Sequence, residues 1–363
     1  MSKPFLPLGV PAPWFYGETR TNPRYTFDTV AGRYVVLSFL GRDTPHNQQF
    51  MQDILAKQTC FDDVRACFFG VFLSRDMAHM PQYQDVIPGI RFFFDSTLEI
   101  CQRYRTLLEQ RFFPCSYILD ERLRVMSVLP RSNDPQRDAE RLLEVLSQLP
   151  SLPTGLALPQ APVLIVPHIF ESSLCQTLIE YYQQGDAYAS GFMREVNGKT
   201  VLIQDAAFKR RADRTIEDAT LLDLVQTRLY DRLRPEIFKA FQFEATRIER
   251  HIVACYDSSS GGFFRPHRDN TTKGTAHRRF AVSLNLNTGD YDGGMLRFPE
   301  FGQQLYQPPR GGALVFSCSL LHEATPVTRG QRFAYLPFLY TDADAQLREQ
   351  NRQFLQLDAQ DHG

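Results

Sequence analysis

The sequence predicts two domains, an α/β domain followed by a mainly β domain with supporting helices, and three observations lead there. A chain of 363 residues exceeds one ordinary hydrophobic core. From Leu149 to Pro162 runs LPSLPTGLALPQAP, with four prolines and no charge, which continues neither a helix nor a central strand and reads as a linker. The pattern of elements also changes across that segment. The expected divisions are a first domain at 1–149, a linker at 150–162, a second domain at 163–345 and a polar tail at 346–363.

On the amino side, Tyr34 to Leu40 is almost uniformly apolar, as expected of a strand buried on both faces, and Arg65–Leu73, Ile90–Phe94 and Cys115–Leu119 repeat the pattern. Helical stretches fall near 46–57, 97–108 and 135–148; the last has Asp134 to cap it and Pro135 at its first turn. Strands alternating with helices imply a central sheet covered by helices. On the carboxyl side, Glu171–Gln183 and Glu217–Arg234 read as helices, the second interrupted at Pro235. Short strands then follow at Arg247–Tyr256, Phe280–Leu286, Gly294–Phe298, Gly312–Phe316 and Arg332–Tyr340, separated by Gly, Asp and Asn clusters, as in an antiparallel sandwich or barrel.

A formal net charge of -1 favours neither nucleic acid nor an anionic membrane as partner. The start, MSKPFLPLGVPAPWF, is broken by prolines and lacks the apolar run of a secretory signal. No apolar run is long enough for a transmembrane helix. Seven cysteines form no Cys-x-x-Cys pair, and several sit in apolar runs, which fits a reducing, cytoplasmic setting.

The chemistry concentrates between Tyr256 and Arg332. Of eight histidines, only His267 is followed two positions later by an acid, Asp269. With His322, two imidazoles and one carboxylate are enough to hold a ferrous ion on one face and leave positions for a co-substrate and O₂. On an extended segment His267 and Asp269 share a face, while strand alternation points Tyr256 towards that pocket and His251 away from it. Arg332, ten residues after His322, is a fixed cation suited to a carboxylate, with Arg329 in the turn as its competitor. His251 and His277 read as structural or surface residues. The basic run Lys209–Arg214 reads as a solvated loop, or else as a face turned to an acidic substrate. The walls of the pocket are expected from loops at 188–200 and 271–279.

CYDSSSGGFFRPHRDN, YDGGMLRFPE and PPRGGALVFSCSLLHEATPVTRGQR together resemble the 2-oxoglutarate and Fe(II)-dependent dioxygenases of the prolyl 4-hydroxylase type, over roughly 162–340. The resemblance implies a double-stranded β-helix, or jelly roll, with His267, Asp269 and His322 on Fe(2+). It implies that Arg332 anchors the distal carboxylate of 2-oxoglutarate and that Tyr256 hydrogen-bonds it. O₂ and 2-oxoglutarate would be consumed, and succinate and CO₂ released, as an unactivated C–H bond of a peptidyl prolyl residue or a small molecule is hydroxylated. Ascorbate goes with the resemblance as reductant for the iron.

Residues 1–149 resemble a peroxiredoxin of the thioredoxin-like superfamily, through Gly9-x-Pro-Ala-Pro, the strand YVVLSFL, Thr44-Pro45, Phe92–Asp95 and Tyr117–Asp120. Such proteins read Thr-Pro-x-Cys at that turn, whereas here Asn47 stands in the cysteine's place, and an amide forms no thiolate. Pro114 occupies the position of a second family residue, an arginine, and marks the place of a cis-proline, with Cys115 beside it. The domain then reads as a scaffold for substrate docking or homodimer formation. The alternative whole-protein reading is a redox-linked sensor or binding module whose oxygenase core turns over little.

Overall fold

The computed structural model describes residues 4–152, 154 and 160–356. The chain divides into two compact units, Met1–Leu156 and Ala157–Gly363. The break falls in the proline-rich segment, where residues 153 and 155–159 of the expected linker lie outside the described residues. Among the described residues no helix is long and apolar enough to cross a membrane.

In the first unit the apolar runs become one five-stranded sheet. Its order is Ile90–Phe94, Ala66–Phe72, Tyr34–Gly41, Cys115–Leu119, Val125–Pro130; the first three strands are parallel and the last two antiparallel. Tyr34–Gly41 is buried along its whole length because helices cover both faces. Pro45–Ala56 and Pro135–Gln148 pack on one face through Phe50, Ile54 and Leu142, and Glu99–Arg103 packs on the other through Ile100 and Cys101. This is a thioredoxin-like sheet. Asp134 caps its helix as its position predicts, accepting from the Arg137 N–H at 3.1 Å.

Three differences from the sequence reading have local causes. The helix expected over 97–108 spans only Glu99–Arg103, because Arg105 adopts φ 55 and Glu109–Gln110, at φ 48 and 62, make the turn of a small hairpin. The half-buried strand Val125–Pro130 carries too weak an alternation to be read from the sequence. Pro114 is not a cis-proline, since the cis peptide among the described residues is Ile87–Pro88.

Asn47 is buried and structural. Its amide donates to the carbonyls of Leu40 and Arg42 at 2.7 Å each. Burial pushes the thiols of Cys67 (to about 12), Cys101 and Cys115 up, so none of these three is a ready nucleophile.

The second unit is a jelly roll of two facing sheets. The larger carries the strands Leu164–Val166, Ala313–Ser317, Phe280–Asn285, Gln331–Tyr335, Ile252–Asp257, Ala212–Thr215 and Tyr188–Ala189 in that order. The smaller runs Lys209–Arg210, Phe263–His267, His322–Ala324, Leu296–Arg297, Leu305–Tyr306. Ile252, Ala254 and Leu314 meet Phe264, Leu296 and Ala324 in an apolar layer between the sheets. The opposite face of the larger sheet packs Val253, Cys255 and Tyr335 against the helices Ser172–Gln183 and Ala219–Arg228.

Pro235 does not interrupt the second helical region. Helix resumes at Arg234–Phe241, because a single wide turn at Leu229–Leu233 loosens the backbone pattern before the proline ring. The strand expected over 247–256 is split by Arg250 at φ 54, and the one expected over 332–340 by Pro337, which has no N–H for the ladder. The polar stretch expected as a tail begins inside the helix Asp342–Asn351, after which Leu355–Gln356 pairs in parallel with Thr200–Val201. Residues 357–363 lie outside the described residues.

Leu142→Ala should destabilise the first unit by about 2–5 kcal/mol, since it opens a cavity beneath a fully buried side chain; denaturant unfolding measures this. Purified protein should consume hydrogen peroxide no faster than buffer in a coupled peroxidase assay, because Asn47 supplies no thiolate.

Candidate metal centre and its cavity

His267 ends the strand Phe263–His267, and His322 begins the strand His322–Ala324 beside it. The two strands are antiparallel and place His267 directly opposite His322, after an irregularity that follows the Phe264–Ala324 pair. Continuing the Phe264 register would set His267 opposite Leu321, so one extra residue in a bulge brings the two imidazoles side by side, tilted by 51°. Their rings lie 4.3 Å apart. Asp269, two residues on, is tied by its N–H to the Cys318 carbonyl at 3.0 Å.

One ligand atom from each of His267, Asp269 and His322 lies within 4.8 Å of the others, so the group could hold a metal ion. His267 Nε2 is 3.5 Å and His322 Nε2 is 3.3 Å from the Asp269 carboxylate. Each Nδ1 faces a carbonyl two residues back, Arg265 at 2.7 Å and Leu320 at 2.9 Å. Donation from Nδ1–H to those carbonyls leaves both Nε2 lone pairs directed at the cluster. Burial pushes the Asp269 carboxyl up, but His322 and His267 outweigh it and hold the group well below the usual carboxylate range. Burial, and then His322, lower the His267 imidazole, which favours its neutral form.

Arg332 lies opposite Tyr256 on the neighbouring strand and is 2 % exposed. Its Nη2 donates to Ser283 Oγ at 2.7 Å and Asn285 Oδ1 at 3.0 Å, while its Nε has no partner. No carboxylate among the described residues is within ion-pair distance of it, which is unusual for a buried guanidinium. The Tyr256 ring lies 5.1 Å beneath that guanidinium, and its hydroxyl accepts from Arg211 at 3.4 Å. His267, Asp269, His322, Arg332, Ser283, Tyr256 and Arg211 line one cavity of about 620 Å³, with apolar walls at Leu296, Phe316 and Ala324.

Sequence reasoning missed Ser283 and Asn285, although two polar residues at alternate positions of an apolar strand are a usable signal. It also misread the basic run. Lys209, Arg211 and Asp213 alternate inward and are buried, and Lys209 and Arg211 line the cavity. Arg211 pairs with Asp213 at 2.6 Å. The wall near 192–203 is a hairpin rather than a loop, Phe192–Val196 paired with Lys199–Ile203. His251 meets the Tyr335 hydroxyl at 2.7 Å on the helix-covered side, so it is structural. His277 is buried against Glu249 at 2.8 Å rather than on the surface. Arg329 pairs with Asp292 on the surface and does not line the cavity.

Residues 251–340 match the 2OG-Fe(II) oxygenase superfamily. That match implies Fe(II), 2-oxoglutarate and O₂ as the cofactor and co-substrates of this region. A PKHD-type hydroxylase of Synechococcus sp. (strain JA-2-3B'a(2-13)) is 34% identical over 89 residues, which are 23% of this chain and 39% of that protein. The chain therefore spans about two fifths of the length of that relative. A solved prolyl-4-hydroxylase from Pseudomonas putida is 22% identical, with a TM-score of 0.39, over 50% of this chain and 94% of that one. The bacterioferritin comigratory protein of Xanthomonas campestris is 18% identical, with a TM-score of 0.32, over 39% of this chain and 96% of that one.

Glu249 holds Arg278 and His277 at the cavity edge, with Arg278 bonded at 2.6 Å. Burial raises its carboxyl, but Arg278 and His277 lower it much further below its ordinary 4.5. The folded state then binds fewer protons than the unfolded one, so this stabilisation is present above about pH 4.5 and is lost as pH falls. Urea unfolding of Glu249→Gln should show a shallower loss of stability than the native protein between about pH 4.5 and 3.

Proposed function

We propose that this chain is an Fe(II)- and 2-oxoglutarate-dependent hydroxylase of a peptidyl prolyl residue or a small molecule. The observation that carries the reading is Arg332, a buried guanidinium with no carboxylate partner and an orphaned Nε, in the same cavity as the His267, Asp269 and His322 cluster. A buried cation of this kind demands an anion, and a ligand carboxylate supplies one.

His267 Nε2, one Asp269 oxygen and His322 Nε2 would hold the iron, their orientation set by the Arg265 and Leu320 carbonyls. Bound iron and 2-oxoglutarate supply O₂ activation, with succinate and CO₂ released as a C–H bond is hydroxylated. Arg332 takes the distal carboxylate of 2-oxoglutarate, and Ser283 and Asn285 fix the fork that receives it. Tyr256 packs beneath that fork, with its hydroxyl turned by Arg211. Leu296, Phe316 and Ala324 keep this end of the cavity dry, which strengthens every charge interaction in it. Ascorbate is the expected reductant for iron oxidised in idle cycles. The first unit, without a thiol at position 47, serves as a scaffold in a reducing, cytoplasmic setting suited to seven free cysteines.

Full-length protein given Fe(II), 2-oxoglutarate and O₂ should release succinate slowly even without substrate. His267→Ala should abolish that release, and persistence of the activity would rule out the ligand set. Arg332→Gln should raise the KM for 2-oxoglutarate at least about 30-fold, as loss of a buried charge pair costs about 2 kcal/mol or more.

A further inference from the structure

The cavity holds more positive charge than the proposed iron and 2-oxoglutarate use. Arg211 is matched by Asp213, and Arg278 by Glu249. Arg332 and the metal would be matched by the two carboxylates of 2-oxoglutarate together with Asp269. Arg268 pairs with Glu300, and the exposed Arg194 and Glu195 of the hairpin carry opposite charges. Arg250 and Lys209 remain, both lining the same cavity.

Arg250 is the more informative of the two. It sits at φ 54, the left-handed region that non-glycine residues rarely occupy, at the break between Arg247–Glu249 and Ile252–Asp257. That break directs its side chain into the cavity instead of along the sheet. Its guanidinium lies 4.4 Å over the Phe338 ring, and its Nε donates to the Leu336 carbonyl at 3.1 Å. No carboxylate among the described residues is within ion-pair distance of it, whereas Arg278, over the same ring at 4.1 Å, has Glu249. Burial, then Arg211 and Arg278, push the Arg250 guanidinium down to about 10 and outweigh the opposite pull of Asp213 and Glu249.

Lys209 reaches the cavity from the opposite sheet. Its side-chain nitrogen donates to Ser190 Oγ at 2.7 Å and Gly191 O at 2.6 Å, and burial, then Arg211, push the group well below the ordinary lysine range, so an anion brought beside it would favour its charged form. It lies 4.6 Å over the Phe264 ring, and that ring stacks on His267. Among the described residues no acid is within ion-pair distance of it: Asp213 is reached through Ser190 and is already bonded to Arg211, and Asp269 of the cluster acts on it from farther off.

We propose that Arg250, with Lys209, forms an anion subsite for the primary substrate, so that the molecule hydroxylated here carries a carboxylate close to the carbon that reacts. This rests on the hydroxylase reading for its meaning but is tested apart from it. The same chemistry is offered by a free acid or by an acidic side chain next to the target residue of a peptide. The cavity of about 620 Å³ has room for either beside the co-substrate.

Calorimetric titration of the full chain with three acid and amide pairs tests the subsite: L-aspartate and L-asparagine, L-glutamate and L-glutamine, and the peptides Gly-Pro-Glu and Gly-Pro-Gln. Each titration is run on the metal-free protein and on protein loaded with Mn(II) and 2-oxoglutarate. At least one acid should bind ten-fold or more tightly than its amide; a free acid identifies a small-molecule substrate, and the peptide pair identifies an acidic peptide. Arg250→Gln should erase that preference, Arg250→Lys should retain most of it, and both should bind 2-oxoglutarate within about two-fold of the native protein. Equal binding of acid and amide in every pair overturns the proposal, and so does a parallel loss of 2-oxoglutarate binding in Arg250→Gln. Failure to bind Mn(II) and 2-oxoglutarate would instead overturn the hydroxylase reading, while the metal-free titrations still report on the subsite.

Discussion

The second unit depends on a single register: the antiparallel pairing that sets His267 opposite His322. One inserted residue between Phe264 and His267 creates it, and a strand slipped by one position would turn its side chains to the other face. The imidazoles are then positioned by main-chain hydrogen bonds of a sheet rather than by a mobile loop. Asp269 can remain charged although buried because two imidazoles lie beside it. The cluster is therefore a property of the ladder, and the apolar layer behind it keeps the ladder in register.

The same layer explains why the polar groups of the opposite sheet matter. Ser283, Asn285, Tyr256 and Arg332 lie on the inner face of the larger sheet, among residues that otherwise exclude water. Buried polar groups need partners, and most of those in this cavity have them. Among the described residues Arg332 and Arg250 have no acid within ion-pair distance, in contrast to Arg211 and Arg278, which line the same space with their acids in place. The contrast separates cations with an acid in place from cations without one, and the proposed ligand contacts rest on the second kind.

The first unit makes the complementary point. Its sheet is held by two apolar layers, and neither depends on a thiol at position 47. Asn47 uses its amide to tie the start of a helix to the Leu40 and Arg42 carbonyls. The sheet thus stands with a structural hydrogen bond at position 47.

The sequence by itself determined a sheet covered by helices in the first unit, an antiparallel sandwich or barrel in the second, and the residues of the cluster. Buried strands of the first unit read as unbroken apolar runs, and His267 with Asp269 read as a pair on one face, because both signals are local in the chain. Partnerships between distant segments were decided only by the tertiary structure. Lys209 and Arg211 read as a solvated run because five charged residues in a stretch of six give no sign of which face is covered; the hairpin and sheet that bury them come from elsewhere in the chain. Ser283 and Asn285 became the support of Arg332 only when strands nearly fifty residues apart paired. Arg250 entered the cavity because a strand broke at a left-handed residue, and no pattern of side chains announces that break. Charge balance in a closed space is a sum over such partners, so it can be taken only once the fold has brought them together.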